Sequence, residues 1–143
     1  TNNRKQVMNK LLLAIPAALL LAAPAVSKDK MELTEKQQTQ LDKKLAGRTA
    51  GEAKSCISMN DQREMTVISD DILIFGSSRN ANTIYVNKPY GGCRNADRSI
   101  LSYSRPTSSL CQGEIIQLID SASRMTMGSC AFGEFVPYTK NAD

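Results

Sequence analysis

Four cysteines are the residues whose types and spacing most directly suggest chemistry: Cys56, Cys93, Cys111 and Cys130. The intervals between them are 37, 18 and 19 residues, whereas a zinc site usually brings its cysteines in pairs about two to four residues apart. The chain contains no His, which removes a common zinc ligand and the usual base for a Cys nucleophile. We therefore expect two disulfides.

Four cysteines allow three disulfide pairings. Residues 114–120 and 131–136 are predicted as successive strands of a hairpin, with a Ser/Gly/Met loop at 121–129. Cys111 and Cys130 would then lie at opposite ends of the hairpin, about 20–30 Å apart, whereas a disulfide needs α-carbons within about 7 Å. This excludes Cys111–Cys130 and, with it, Cys56–Cys93. Of the two remaining pairings we favour Cys93–Cys111, closing a polar loop, with Cys56–Cys130, tying the first strand to the last.

The best candidate ligand surface combines arginines with tyrosines: Arg94, Arg98, Arg105, Tyr90 and Tyr103. Residues 79–112 carry five basic residues against one acidic residue, a local charge of +4. A guanidinium offers a planar fork suited to phosphate or carboxylate, and a tyrosine ring can stack on a sugar or a base. The alternative is a solvated loop with its rings packed underneath, and we favour that alternative for most loops of this composition.

Carboxylates supply the other candidate chemistry. Asp61, Glu64 and Asp97 could serve a hydrolase or a lyase, and the adjacent acids Asp70 and Asp71 more simply make a solvated turn. The chain has no G-x-S-x-G, no H-E-x-x-H, no P-loop and no dinucleotide-binding glycine pattern. We therefore predict no catalytic residue, no metal ligand and no cofactor.

The start of the chain is typical of an export signal. Arg4, Lys5 and Lys10 precede an uncharged apolar stretch from residue 11 to residue 23, and an Ala-Pro-Ala sequence places cleavage after Ala25. The competing interpretation is a membrane anchor, but the apolar run is short of the roughly 20 residues that a span needs. Cleavage removes three positive charges, so the whole-chain charge of +4 becomes +1. A nucleic-acid partner is therefore not expected, and the membrane is met only transiently through the signal.

The remaining sequence indicates a small β domain. Thr34 and Gln37 form a capping-box pattern, and Gly47 is placed to end the helix that follows. Apolar periodicity then predicts six short strands, at 55–59, 64–69, 72–75, 83–86, 114–120 and 131–136, with a long irregular segment from 89 to 110. The predicted fold is mainly β: a six-stranded antiparallel barrel or sandwich, stapled by disulfides, with one peripheral N-terminal helix.

Four segments of the chain resemble a known family. They are the runs around Ser55-Cys56-Ile57, Gly92-Cys93 and Leu110-Cys111, and the closing run from Gly128-Ser129-Cys130 to Pro137-Tyr138. Over about residues 45–140 the chain resembles a family of small exported alphaproteobacterial proteins that is defined only as a domain of unknown function. The resemblance implies a signal peptide and the same four cysteine positions, and it implies no catalytic residue.

We interpret the chain as an upstream stretch and signal peptide (1–25), a charged leader and short helix (26–47), a disulfide-linked β domain (48–140) and a tail (141–143). The expected function is that of a periplasmic or secreted, non-enzymatic module that interacts with an envelope component or another protein. Two alternatives remain: a carboxylate-based hydrolase or lyase, and an inhibitor of an exported hydrolase that uses the segment between Cys93 and Cys111.

Overall fold

The computed structural model describes residues 32–142 apart from 77, 79, 105 and 106. These residues form a mainly β domain with one α-helix, one 3-10 helix and antiparallel sheets. In chain order the elements are α1 (Glu35–Leu45), β1 (Arg48–Ala50), β2 (Cys56–Ser58), β3 (Met65–Ser69), β4 (Ile72–Phe75), β5 (Thr83–Asn87), η1 (Ala96–Arg98), β6 (Ser99–Tyr103), β7 (Ser109–Cys111), β8 (Ile115–Asp120), β9 (Thr126–Ala131) and β10 (Phe135–Lys140). The predicted signal peptide and cleavage site lie outside the described residues.

The helix begins and ends where its sequence indicates. The Thr34 hydroxyl accepts a hydrogen bond from the Gln37 backbone N–H, while the Gln37 side chain accepts one from the Thr34 N–H, so the predicted capping box is formed. Gly47 follows the helix with a φ of 68°, a left-handed conformation that favours glycine. The helix has no fully buried residue, and Leu41 and Leu45 pack against the sheet beside it. It is therefore peripheral, as predicted.

The largest sheet has five strands in the order β1-β10-β5-β4-β3, all antiparallel. Its strand β4 is buried at all four positions. Ile72 and Ile74 contribute to a cluster that contacts α1, whereas Leu73 and Phe75 contribute to a second cluster on the opposite face. Because both faces are covered, consecutive apolar residues are required in this strand.

A three-stranded sheet, β6-β8-β9, supplies the other side of the second cluster, and β2 pairs with β7 as a separate two-stranded ribbon. Strand β8 alternates: Ile116 and Leu118 are buried, whereas Ile115 and Gln117 are exposed. Phe132 lies in this cluster with its ring 5.8 Å from that of Phe75. The three-stranded sheet therefore has one face in the core and one in solvent.

One buried polar residue joins the sheets. Asn87, at the end of β5, is fully buried, and its amide donates to the Gly133 carbonyl at 2.7 Å and accepts from the Gly133 N–H at 3.2 Å. A Cβ at position 133 would collide with the Lys88 carbonyl oxygen, so glycine is required by this close approach. The connection from β9 to β10 is thereby fixed against β5.

The predicted fold class is confirmed in part. The domain is mainly β and antiparallel with one helix, but the described strands form three open sheets rather than a single six-stranded barrel or sandwich. The strands predicted at 55–59, 64–69, 72–75, 83–86 and 114–120 correspond to β2, β3, β4, β5 and β8. The strand predicted at 131–136 is wrong, because that range covers the end of β9, a connection and the start of β10. Residues 121–129 include most of β9, and the segment predicted as irregular contains β6 and β7.

The predicted disulfide pairing is also wrong. Cys56 is bonded to Cys111 and Cys93 to Cys130. The error follows from the misplaced strand: Cys130 lies within β9 opposite Ile116, near the start of β8 and not near its end. Cys56 and Cys111 are directly opposite each other in the β2–β7 ribbon, with α-carbons 4.0 Å apart. All four cysteines are paired, as expected, and two disulfides indicate an oxidising environment.

Candidate functional site

The arginine loop, residues 94–98, is held at its start by a buried disulfide. Cys93 is fully buried and bonded to Cys130, and its carbonyl accepts from the Ala96 N–H at 2.9 Å. Asn95 adopts a left-handed conformation, which Asn tolerates better than most residues. Arg94 and Arg98 are both exposed. The loop is therefore a short, anchored turn that presents two guanidinium groups to solvent.

Arg98 has one weak ionic partner among the described residues. Its Nε lies 3.8 Å from the Asp97 carboxylate, and the two side chains are 82% and 59% exposed. An ion pair this open contributes little, so Arg98 remains free to bind another anion. Asp97 is the acidic residue that partly offsets the charge of this region, and it is not among the residues that line the cleft shared by Asp61 and Glu64.

Tyr103 lies at the far end of β6 from the arginine loop. Strand β6 runs directly from η1, so the α-carbons of Ser99 and Tyr103 are about 13 Å apart. The Tyr103 ring packs edge-on against Phe132 with centroids 5.2 Å apart. Arg105, two positions beyond β6, lies outside the described residues. Of the predicted ligand-binding residues, Arg94 and Arg98 therefore come before one end of β6 and Tyr103 lies at the other end, so a ligand that contacted both ends would have to be elongated.

The candidate acids Asp61 and Glu64 line one cleft of about 570 Å³ together with Arg63 and the buried Tyr85. The Asp61 carboxylate accepts a hydrogen bond from the Ser58 hydroxyl at 2.7 Å. Burial, and then the nearby Asp61 charge, raises the pKa of Tyr85 above its ordinary value. The Asp61 carboxylate thus holds the turn at the end of β2, and Glu64 and Arg63 are the exposed charged groups of the cleft.

The adjacent acids Asp70 and Asp71 are not among the residues that line the cleft of Asp61 and Glu64. Asp70 and Asp71 form the predicted turn between β3 and β4, where the Asp70 carbonyl accepts from the Cys93 N–H at 2.6 Å. In the described part of the chain, no group of three or more Cys, Asp or Glu residues is arranged to hold a metal ion.

None of the helices that the structure describes combines the length and apolar character needed to cross a membrane. Comparisons with family models, curated proteins and solved structures found no match.

Sequence analysis missed the surface formed by β6. The strand is at one edge of its sheet, and Ile100 on its outer face is 40% exposed. Nearby on the same sheet Ile115 and Met127 are 57% and 69% exposed. The alternation in Ser99–Tyr103 was the available signal, but it is only five residues long and lies between arginines and prolines.

Proposed function

We propose that the protein is an exported, non-enzymatic module that binds an anionic component of the cell envelope through Arg94, Arg98 and Arg105. The observation that carries the proposal is the exposure of Arg94 and Arg98 on a loop anchored by the Cys93–Cys130 disulfide. An anchored loop loses little conformational entropy when it binds. Exposed guanidinium groups suit phosphate and carboxylate.

Export is part of this proposal. The predicted signal segment at 4–26, with cleavage after Ala25, would deliver the chain to the periplasm or the exterior. Two disulfides support a destination outside the cytoplasm, because cysteine thiols are kept reduced inside the cytoplasm. N-terminal sequencing of protein recovered from the periplasm tests this part, and a chain that keeps residues 1–25 in the cytoplasm would contradict it.

The test of binding is co-sedimentation of the mature protein with envelope fractions. Replacing Arg94, Arg98 and Arg105 together by Ala is expected to weaken binding at least tenfold, with the difference shrinking as salt is raised. The matched control replaces three exposed lysines, Lys36, Lys43 and Lys140, which removes the same charge elsewhere. Equal losses in both variants would indicate non-specific attraction, and unchanged binding of the arginine variant would remove these residues from the proposal.

A carboxylate-based hydrolase or lyase is the second candidate, supported by the cleft that Asp61 and Glu64 share with Arg63. Its test is hydrolysis of a panel of chromogenic glycosides and esters by the wild type and by Asp61→Asn and Glu64→Gln. Activity in the wild type that falls at least a hundredfold in both variants would favour an enzyme. The inhibitor alternative has lost its motivating feature, because no disulfide closes the segment from Cys93 to Cys111.

A further inference from the structure

Strand β6 is an edge strand without the usual protection. Natural sheets block exposed edges with charges, prolines, bulges or very short strands. Strand β1 has only three residues and begins with Arg48, while the pairings of β3 and β9 contain register shifts. Strand β6, with the sequence SILSY, pairs with β8 at five consecutive positions and contains no charge, no Pro and no Gly. Strands β2 and β7 are also uncharged edges, but each has only three residues. Among the described sheet edges, β6 is therefore the longest one that has neither a charge nor a register shift.

The orientation of the β6 backbone follows from two hydrogen bonds on the other side of β8. The Asp120 N–H donates to the Met125 carbonyl at 2.9 Å, and the Phe132 N–H donates to the Glu114 carbonyl at 3.0 Å. Even-numbered residues of β8 therefore direct their peptide groups towards β9, and odd-numbered residues direct theirs towards β6. Ile100 and Ser102 pair with odd-numbered partners, so the N–H and carbonyl of Leu101 between them point away from β8.

Arginines flank strand β6 in the sequence. Arg94 and Arg98 precede β6, and Arg105 follows it two residues after Tyr103, against Asp97 alone. A cleft of about 420 Å³ lies over the outer face of β6 and β8 and is lined by Ser102 and Ser104 together with Ile115 and Gln117. An added strand would thus meet basic groups at its end.

We propose that the β6 edge binds an extended acidic peptide segment, which adds as a further strand to the three-stranded sheet. Main-chain hydrogen bonds to Leu101 supply the attachment, and carboxylates of the segment meet the arginines. This rests on the proposed function, in which the same arginines bind an anionic envelope component, and it specifies that component as protein. A second copy of this chain fits less well, because each copy carries Arg94 and Arg98 ahead of its own β6 strand against Asp97 alone, and like charges repel.

The experiment measures backbone hydrogen exchange by NMR on the purified protein. The probe is a synthetic peptide of about ten residues, alternating Val and Thr between Asp pairs, and the control peptide has Lys in place of Asp. Saturation with the acidic peptide is expected to slow exchange of the Leu101 amide at least tenfold. The Ile100 and Ser102 amides, already bonded to β8, should change much less. A peptide N-methylated on its pairing edge should not bind, whereas methylation of the opposite edge should leave binding intact.

The second part of the experiment reverses the charge of the two described arginines. The double variant Arg94→Glu with Arg98→Glu is expected to bind the acidic peptide at least tenfold more weakly and the Lys peptide more strongly. Absence of peptide binding, or binding without protection of Leu101, would overturn strand addition. Protection of Leu101 that rises with protein concentration in the absence of peptide would overturn it in favour of a second copy.

The two proposals fail separately. Anionic lipid vesicles or acidic polysaccharide that bind through the arginines while Leu101 exchange is unchanged would leave the proposed function standing and remove strand addition. Conversely, peptide-dependent protection of Leu101, together with undiminished envelope binding by the arginine-to-alanine variant, would keep strand addition and remove the arginines from the envelope-binding function.

Discussion

The five-stranded and three-stranded sheets differ in how many of their faces are covered. Strand β4 of the first is buried at every position, with alternate side chains in two separate clusters. Strand β8 of the second alternates between buried Ile116 and Leu118 and exposed Ile115 and Gln117. A sheet that lies between two layers has no face left for a partner. The half-covered sheet keeps a free face and a free edge, and the exposed Arg98 immediately precedes the strand at that edge.

The largest losses of stability are expected when either disulfide is removed. Chain entropy alone gives about 4 kcal/mol for each, because the closed loops of 37 and 55 residues differ little on a logarithmic scale. Cys93 and Cys130, however, lie in the core cluster beneath the three-stranded sheet, whereas Cys56 is exposed. Replacing Cys93 and Cys130 by Ala should therefore cost about 1–2 kcal/mol more than replacing Cys56 and Cys111, through lost packing.

Guanidinium denaturation of the two double variants measures this difference, and limited reduction followed by alkylation supports it. Because the Cys56–Cys111 bond lies at the surface, its cysteines should be labelled first. Equal free energies of unfolding together with simultaneous labelling would mean that the three-stranded sheet is held no more tightly than the β2–β7 ribbon, which would contradict the comparison.

Neighbouring alanine substitutions sharpen the contrast within single strands. In β4, Leu73→Ala and Ile74→Ala should each cost about 2–5 kcal/mol, because both side chains are fully buried on opposite faces. In β8, Ile116→Ala should cost a similar amount, whereas Ile115→Ala, at a side chain 57% exposed, should lie within about 0.5 kcal/mol of the wild type.

Thermal and chemical denaturation of the four alanine variants give these values directly. A loss of more than about 2 kcal/mol for Ile115→Ala would mean that the outer face of β8 is covered in the protein. A small loss for either β4 variant would mean that one face of the five-stranded sheet is not packed as described.

Elements that depend on local signals were predicted from the sequence. The capping box at Thr34 and the apolar run of β4 carry their information within a few residues, and both are where the sequence indicates. Strand β9, with the sequence TMGSCA, has low β propensity and a glycine. It is a strand because β8 supplies its hydrogen bonds, and no local pattern records that pairing. The disulfide pairing failed for the same reason, since Cys56 meets Cys111 only through the β2–β7 ribbon.

The candidate site was predictable to a similar degree. Composition identified Arg94 and Arg98 as exposed loop residues, because arginines beside Gly, Asn and Asp seldom become buried. The position of Tyr103 was not predictable, since its distance from the arginines depends on β6 being extended and its ring contact depends on Phe132. The edge of β6 is a property of the sheet order and becomes visible only with the structure.

Alkaline pH should act on the five-stranded sheet through Tyr85. Burial raises its pKa above the ordinary value of 10.0, so above about pH 10 the unfolded chain loses this proton more readily than the folded one. The stability that depends on Tyr85 is complete below that pH and declines as pH rises through the folded-state pKa. Tyr85→Phe removes the ionisable hydroxyl and should leave the stability at neutral pH within about 1 kcal/mol of the wild type. It should also flatten the alkaline decline measured by denaturation between pH 9 and 11; an equally steep decline in the variant would exclude Tyr85 as its cause.

Lowering the pH should weaken the turn between β8 and β9 of the three-stranded sheet through Asp120. This is the smallest of the predicted effects on stability. The Ser123 backbone N–H, 2.7 Å from the Asp120 carboxylate, lowers the pKa of that group below its ordinary value of 3.8, and the Ser123 hydroxyl adds to the effect. The stabilisation is therefore present above about pH 4 and is lost as pH falls through the folded-state pKa. Protonation should loosen only the β8–β9 turn, because Asp120 is open to solvent and its bonds are local. In an NMR titration, the Ser123 amide signal should shift as Asp120 is protonated, while core signals stay unchanged. Asp120→Asn should abolish that shift. If core signals respond together with the turn, the two sheets lose structure as one unit.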